Sequence, residues 1–348
     1  MENRSYLPSL QLFRAIAALM VVFHHLWHEI SLRLSIHNTI LDLIAACGKS
    51  GVDFFFVLSG FIICYAHSSK MGNKAAAGAY LKGRLLRIYL PYLPITIVLL
   101  LAYRFLPSLS YVHHYNYSWL KSLTLLPIFG DTVLSVAWTL VFEMFFYLVF
   151  LLAFVSRTLF FSALGVWAIA IALFAVPAAW MDVGLPKFLF STFHLEFMLG
   201  VCAAVVIRRV SAARVKWVAA ALLIPIVLLY LLPVVLDNKI LLGLSFALVV
   251  LVAVHSPVNK ASGRNLLMVL GNASYSIYLV HVPAISLLIR VLPVHHAPLY
   301  VAMATGCSII VLCFGGVLYS RVFERGLLRW VKDRRLYVPY PAQWKNAP

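Results

Sequence analysis

The 348 residues are 63% hydrophobic and only 11% charged, and the mean hydropathy is +0.95. A soluble domain carries roughly 25% charged residues, so water is excluded as the solvent for most of this surface and no soluble appendage is expected. The net charge of +17 would suggest nucleic acid in a soluble protein; here it reads as membrane orientation, and no nucleic-acid partner is expected.

A transmembrane helix needs about 20 apolar residues. Runs of this kind are predicted at 8–28, 51–68, 86–105, 136–155, 159–180, 189–207, 215–235, 239–255, 271–292 and 298–320. The expected fold class is therefore all-α, a polytopic membrane bundle of about ten transmembrane helices. Arg14 lies inside the first run, and no small-residue cleavage pattern follows His24 and His25, so this segment is expected to remain as a helix. An even number of crossings puts both termini on one side. If that side is cytoplasmic, twenty of the 28 Lys and Arg residues fall in cytoplasmic segments and five in external ones, with Arg14, Arg104 and Arg290 inside spans. The positive-inside rule then predicts N-in and C-in.

Residues 1–322 form the expected ten-helix domain and 323–348 a basic cytoplasmic tail. Trp330, Tyr337, Tyr340 and Trp344 suit that tail to an anionic inner leaflet. The long loop at 106–135 is expected outside. Its Tyr111, His113, His114, Tyr115, Tyr117 and Trp119 could stack on sugar rings or simply settle at the membrane interface. The five cysteines form no CxxC pair and read as buried small hydrophobes; no metal site is expected.

Ionisable groups within a span cost on the order of 2.5–3.5 kcal/mol, which makes them functional candidates. Arg14 and His25 are eleven residues apart, close to three helical turns, so they share one face about 16 Å apart along the axis. His24 points roughly a quarter-turn away. A cation and an imidazole on one stripe suit a substrate lying along the helix; the alternative is a snorkelling arginine and a hydrogen-bonded core histidine. Asp53, near the outer end of the second span, could orient an imidazole or an arginine, or merely complement the helix dipole. Glu143 stands in an apolar helix with Tyr147 one turn on, at hydrogen-bonding spacing, and a cation or donor should face it. Glu196 is a weaker second case. Arg84 and Arg87, at i and i+3, suit phosphates or ordinary anchoring. Tyr275, Tyr278 and His281 recur every three residues along a strip expected to face the bundle or a cavity.

Taken in order, several segments resemble the acyltransferase-3 family of membrane O-acyltransferases, especially bacterial exopolysaccharide and lipopolysaccharide acetyltransferases. They are Arg14-Ala-Ile-Ala-Ala-Leu-Met-Val-Val-Phe-His-His25, Gly51-Val-Asp-Phe-Phe-Phe-Val-Leu-Ser-Gly-Phe61, Arg84-Leu-Leu-Arg87, Trp138-Thr-Leu-Val-Phe-Glu143-Met-Phe-Phe-Tyr147 and Gly271-Asn-Ala-Ser-Tyr-Ser-Ile-Tyr-Leu-Val-His281. The resemblance implies a ten-helix domain in the bacterial inner membrane that takes acetyl from cytoplasmic acetyl-CoA to a sugar hydroxyl outside. It places the family histidine on His25 and the arginine pair on Arg84 and Arg87. Gln11 stands where many members carry Asp or Gly. The external hydrolase-like domain that some members add after the last helix is not expected here.

The candidate catalytic groups are thus His25, Glu143 and Asp53, with Arg14, Arg84 and Arg87 for acetyl-CoA. Tyr147, Tyr275, Tyr278, His281 and Trp138 are candidates for substrate contact. Expected partners are a carbohydrate or glycolipid acceptor, membrane lipids and polysaccharide-synthesis proteins. The competing readings are a secondary transporter or flippase, a lipid-linked glycosyltransferase and a structural partner in polysaccharide export. A transporter would show paired broken helices or inverted halves, and a glycosyltransferase an acidic metal-binding loop; neither pattern is visible.

Overall fold

The computed structural model describes residues 8–106, 117–179, 184–211, 213–215, 217–218, 221–222, 238–255 and 266–333. The long helices are α1 (Pro8–Leu34), α3 (Gly51–His67), α4 (Ala77–Phe105), α6 (Trp138–Val149), α8 (Arg157–Ala179), α10 (Phe193–Val206), α11 (Lys239–His255), α12 (Leu266–Val291) and α13 (Pro298–Tyr319). Shorter helices α2 (Thr39–Gly48), α5 (Trp119–Thr124), α7 (Leu151–Val155), α9 (Leu185–Leu189) and α14 (Arg325–Asp333) link or extend them. Eight helical segments among the described residues are long and apolar enough to cross a membrane, and α11, at 17 residues, is a shorter apolar helix. Most of the run predicted at 215–235 lies outside the described residues. So do Tyr111, His113, His114, Tyr115, Tyr337, Tyr340 and Trp344. No strand occurs among the described residues, and the fold is a polytopic all-α membrane bundle.

Close approach between helices rests on glycine, as expected where lipid supplies no hydrophobic driving force and backbones must touch. A Cβ on Gly60 would collide with the Phe197 carbonyl, and one on Gly200 with the Val57 carbonyl, so α3 and α10 cross backbone against backbone. Gly271 does the same for α12 against the Gln11 carbonyl of α1. Phe56, Phe146 and Phe197 fill the α3–α6–α10 contact, with ring centroids 4.8 Å apart for Phe56–Phe197 and 4.6 Å for Phe146–Phe197.

Three details depart from the sequence reading. Helix α4 begins at Ala77 rather than near 86, so Arg84 and Arg87 lie two turns inside a helix instead of at its start. The extra helix α2 is capped by the Asn38 side chain, which accepts from Leu41 N at 3.1 Å, and Trp27 Nε1 donates to Asp42 Oδ1 at 2.7 Å. Of the cysteines, Cys64 and Cys313 are buried as expected, whereas Cys202 and Cys307 are exposed on the bundle's outer surface. At the far end the chain stays helical through residue 322: a π-turn, Ser320–Glu324, joins α13 to α14.

Candidate active site

Two cavities occupy opposite halves of α1. The first, about 330 Å³, is lined by Arg14 from α1, Arg84 and Arg87 from α4, and Glu143 from α6. Tyr147, Tyr275 and Tyr278 complete its polar lining, with Ser59, Thr139, Ser274 and Gln11. This arginine cavity exists because Gly271 lets α12 settle on α1, which brings Ser274 Oγ to 3.2 Å from Arg14 Nε. Tyr275 donates its hydroxyl to the Ile88 carbonyl at 3.1 Å, joining α12 to α4 beside Arg87.

The charges here are unequal. Among the lining residues three are guanidiniums and one is a carboxylate. Glu143 Oε1 is held by two donors, Ser59 Oγ at 3.0 Å and the Tyr147 hydroxyl. Its demand for a facing donor is therefore met by hydroxyls. Arg84 lies 5.8 Å from the Tyr80 ring centroid and 5.6 Å from that of Tyr147, geometry for cation–π attraction. Among the described residues neither Arg84 nor Arg87 forms an ion pair or hydrogen bond, so their donor forks stay available to an anion. The Gln11 side-chain oxygen is buried there without a partner.

The second cavity, about 170 Å³, is lined by His25 with Glu29, Tyr103, Ser135 and Ser286. The two are divided at Tyr278 and His281. Tyr278 lines the arginine cavity and donates its hydroxyl to the Val136 carbonyl at 3.1 Å, 3.0 Å from Thr139 Oγ1. His281 is fully buried one turn further on and lines neither cavity. Its ring centroid is 5.6 Å from Tyr278 and 5.2 Å from His25.

Seven of the sequence candidates are thus gathered in the arginine cavity: Arg14, Arg84, Arg87, Glu143, Tyr147, Tyr275 and Tyr278. His25 shares the face of α1 with Arg14, as the spacing predicts, yet opens into the other cavity. His24 turns away and donates Nδ1–H to the Ala45 carbonyl at 2.7 Å. Trp138 lines neither cavity; it is 38% exposed and packs on Phe142 and Phe193.

Asp53 stands in the first turn of α3, where a carboxylate complements the helix dipole. Its buried carboxylate is bound by Lys239 Nζ at 2.6 Å, and it lines neither cavity. The reason is the first turn of α11, which delivers an ammonium to the first turn of α3. Glu196 lies beside this pair, within electrostatic reach of both. Glu143 is committed to Ser59 and Tyr147.

Sequence reasoning assigns no role to Ser59 or Ser274, although both stand inside quoted motifs. It also overlooks Glu324, whose Oε2 accepts from Ser276 Oγ at 2.6 Å and Ser320 Oγ at 3.0 Å, within electrostatic reach of Arg14 and Arg87. The available signal was an acid between Arg321 and Arg325, directly after the last span.

Fold and site together define a polytopic membrane protein with a cationic intramembrane cavity set against a histidine-bearing one. The family described as "Acyltransferase domain" matches residues 7–320, and the chain belongs to this acyltransferase-3 family. It is therefore a membrane acyltransferase. No curated protein and no solved structure matches the chain.

Proposed function

We propose that the protein moves an acetyl group from cytoplasmic acetyl-CoA to a hydroxyl of an exported polysaccharide or glycolipid. In this reading it sits in a bacterial inner membrane with both termini inside, and residues from 323 onward form a basic tail on the inner leaflet. The observation that carries it is the division of labour between the cavities: three arginines in one, the imidazole of His25 in the next.

Arg84 and Arg87 offer planar donor forks to phosphate oxygens, with Arg14 deeper along the same path. At about 330 Å³ the cavity lies at the small end of ligand pockets. It suits the slender pantetheine arm, leaving the nucleotide at the mouth. The acceptor belongs in the histidine cavity, where hydroxyls of Tyr103, Ser135 and Ser286 and the Glu29 carboxylate line the wall. Once the thioester end of the arm moves past Tyr278 to the acceptor beside His25, the acceptor oxygen bonds to the acyl carbon and the C–S bond breaks. The hydroxyl proton passes to His25 and on to the departing thiolate. A general base of this kind contributes about 10²–10⁴-fold. An acyl group carried briefly on His25 is the other route through the same residue.

The test is transfer of labelled acetyl from acetyl-CoA by the purified protein in lipid nanodiscs, together with mass spectrometry of surface glycans with and without the gene. Uptake of a solute into vesicles without acetyl-CoA, and no transfer with it, would support a transporter instead.

A further inference from the structure

We infer that His281 is a positioning residue for His25, holding it in the tautomer that leaves its basic nitrogen toward the histidine cavity. The inference rests on the reading of His25 as the base. His281 is 0% exposed, and its Nδ1 lies 2.6 Å from the carbonyl oxygen of Tyr278. A carbonyl only accepts, so Nδ1 carries the proton. In a neutral imidazole the other nitrogen is then a bare acceptor. That Nε2 is buried and has no hydrogen-bond partner.

A buried acceptor without a donor is an uncommon and costly arrangement, and the group nearest to relieving it is the second imidazole. The His25 ring centroid is 5.2 Å from that of His281, with the planes 49° apart. At this separation a turn of the His25 side chain seats its N–H on the His281 lone pair. Among the described residues His25 makes no hydrogen bond, and its remaining ring contact is with His24, 5.0 Å between centroids. His24 has its own Nδ1–H committed to Ala45.

Once one nitrogen of His25 donates to His281, the other is necessarily the unprotonated one. It then faces the only open volume beside the ring among the described cavities, the one His25 lines. The Tyr278 hydroxyl, fixed on Val136, makes the support rigid, because the carbonyl that fixes His281 belongs to the same residue. Which nitrogen of a histidine is basic is set in this way by the hydrogen bond that the other makes.

The test measures release of free CoA from acetyl-CoA by the full-length protein in nanodiscs, with methyl glucoside as the acceptor probe. His281→Leu removes the acceptor lone pair; His281→Gln restores an acceptor oxygen near the same place. The expected result is a fall in kcat of about 10²-fold for His281→Leu, the lower end of a general base's contribution. The Michaelis constants and acetyl-CoA affinity should stay unchanged, and most of kcat should return in His281→Gln. Unchanged kcat in His281→Leu would overturn the proposal. So would a raised acceptor KM with kcat kept, which would make His281 a substrate contact. Equal losses in both variants with falling thermal stability would mean packing only and overturn it too. Failure of the underlying reading is separable, since His25→Ala would then still turn over.

Discussion

Tyr147 donates its hydroxyl to Glu143 from one helical turn away, and Ser59 donates to the same carboxylate oxygen from another helix. The carboxylate is therefore anchored as a fixed negative charge among three guanidiniums. Glu143→Gln keeps the shape and removes the charge. Acetyl-CoA should bind more tightly, by about 2 kcal/mol or roughly thirtyfold, for a unit charge about 8 Å away at an effective dielectric of about 20. Titration calorimetry at two salt concentrations checks this. Weaker binding would mean that the carboxylate touches the donor itself.

Arg84 and Arg87 make no ion pair or hydrogen bond among the described residues. Charge-assisted hydrogen bonds are worth about 1.5–3 kcal/mol each. The Arg84→Ala/Arg87→Ala double variant should lose about 10²-fold or more in acetyl-CoA affinity while remaining inserted. Lysine at both positions should give an intermediate value, since an ammonium lacks the guanidinium fork. An unchanged affinity would return the pair to an orienting role.

His24 and His25 are neighbours with different surroundings. His25→Ala should reduce acetyl transfer by about 10²–10⁴-fold. His24→Ala should retain transfer, with a stability loss of about 1 kcal/mol for the bond to Ala45. Equal loss in both, measured by labelled acetyl transfer, would undo the assignment to His25.

Asp53 and Lys239 form a buried-to-boundary ion pair at 2.6 Å, outside both cavities. Removing one partner of such a pair costs about 3–5 kcal/mol, whereas replacing both is close to neutral. Asp53→Asn and Lys239→Met should each lower the unfolding temperature, and the double variant should recover most of it. The specific activity of the folded fraction should hold. A folded but inactive Asp53→Asn protein would instead put that carboxylate into the chemistry.

Gly200 and Gly165 offer a matched pair for testing the fold. A side chain at 200 meets the Val57 carbonyl, so Gly200→Leu should prevent assembly of the α3–α10 contact, seen as lost protease resistance. A Cβ at 165 meets nothing within 4 Å. Gly165→Ala should therefore be neutral or stabilising by about 0.4–1 kcal/mol.

Much of this arrangement is legible in the chain because membrane spans are long and their polar residues rare. Arg14 and His25 declare their shared face through helical periodicity alone, and Tyr147 its reach to Glu143. What periodicity cannot express is which helices meet. The partner of Asp53 lies 186 positions away, and Ser274, which accepts from Arg14 Nε, lies 260 positions away. One stripe on α1 also reads as one substrate path, whereas Tyr278 and His281 from α12 cut it into two rooms. Arg84 and Arg87 read as boundary residues because the apolar run begins beside them; the helix starts a full two turns earlier.

The partition at Tyr278 and His281 bears on insulation as well as chemistry. Cavities holding water in both halves of one spanning helix would, if joined, amount to an aqueous pore along the bundle. Protons and small ions would then run down any voltage across the bilayer whenever the enzyme idled. A packed tyrosine and a fully enclosed imidazole interrupt that column, much as apolar constrictions close channels by excluding water. The proposed acyl transfer can then be completed without short-circuiting the membrane that houses it.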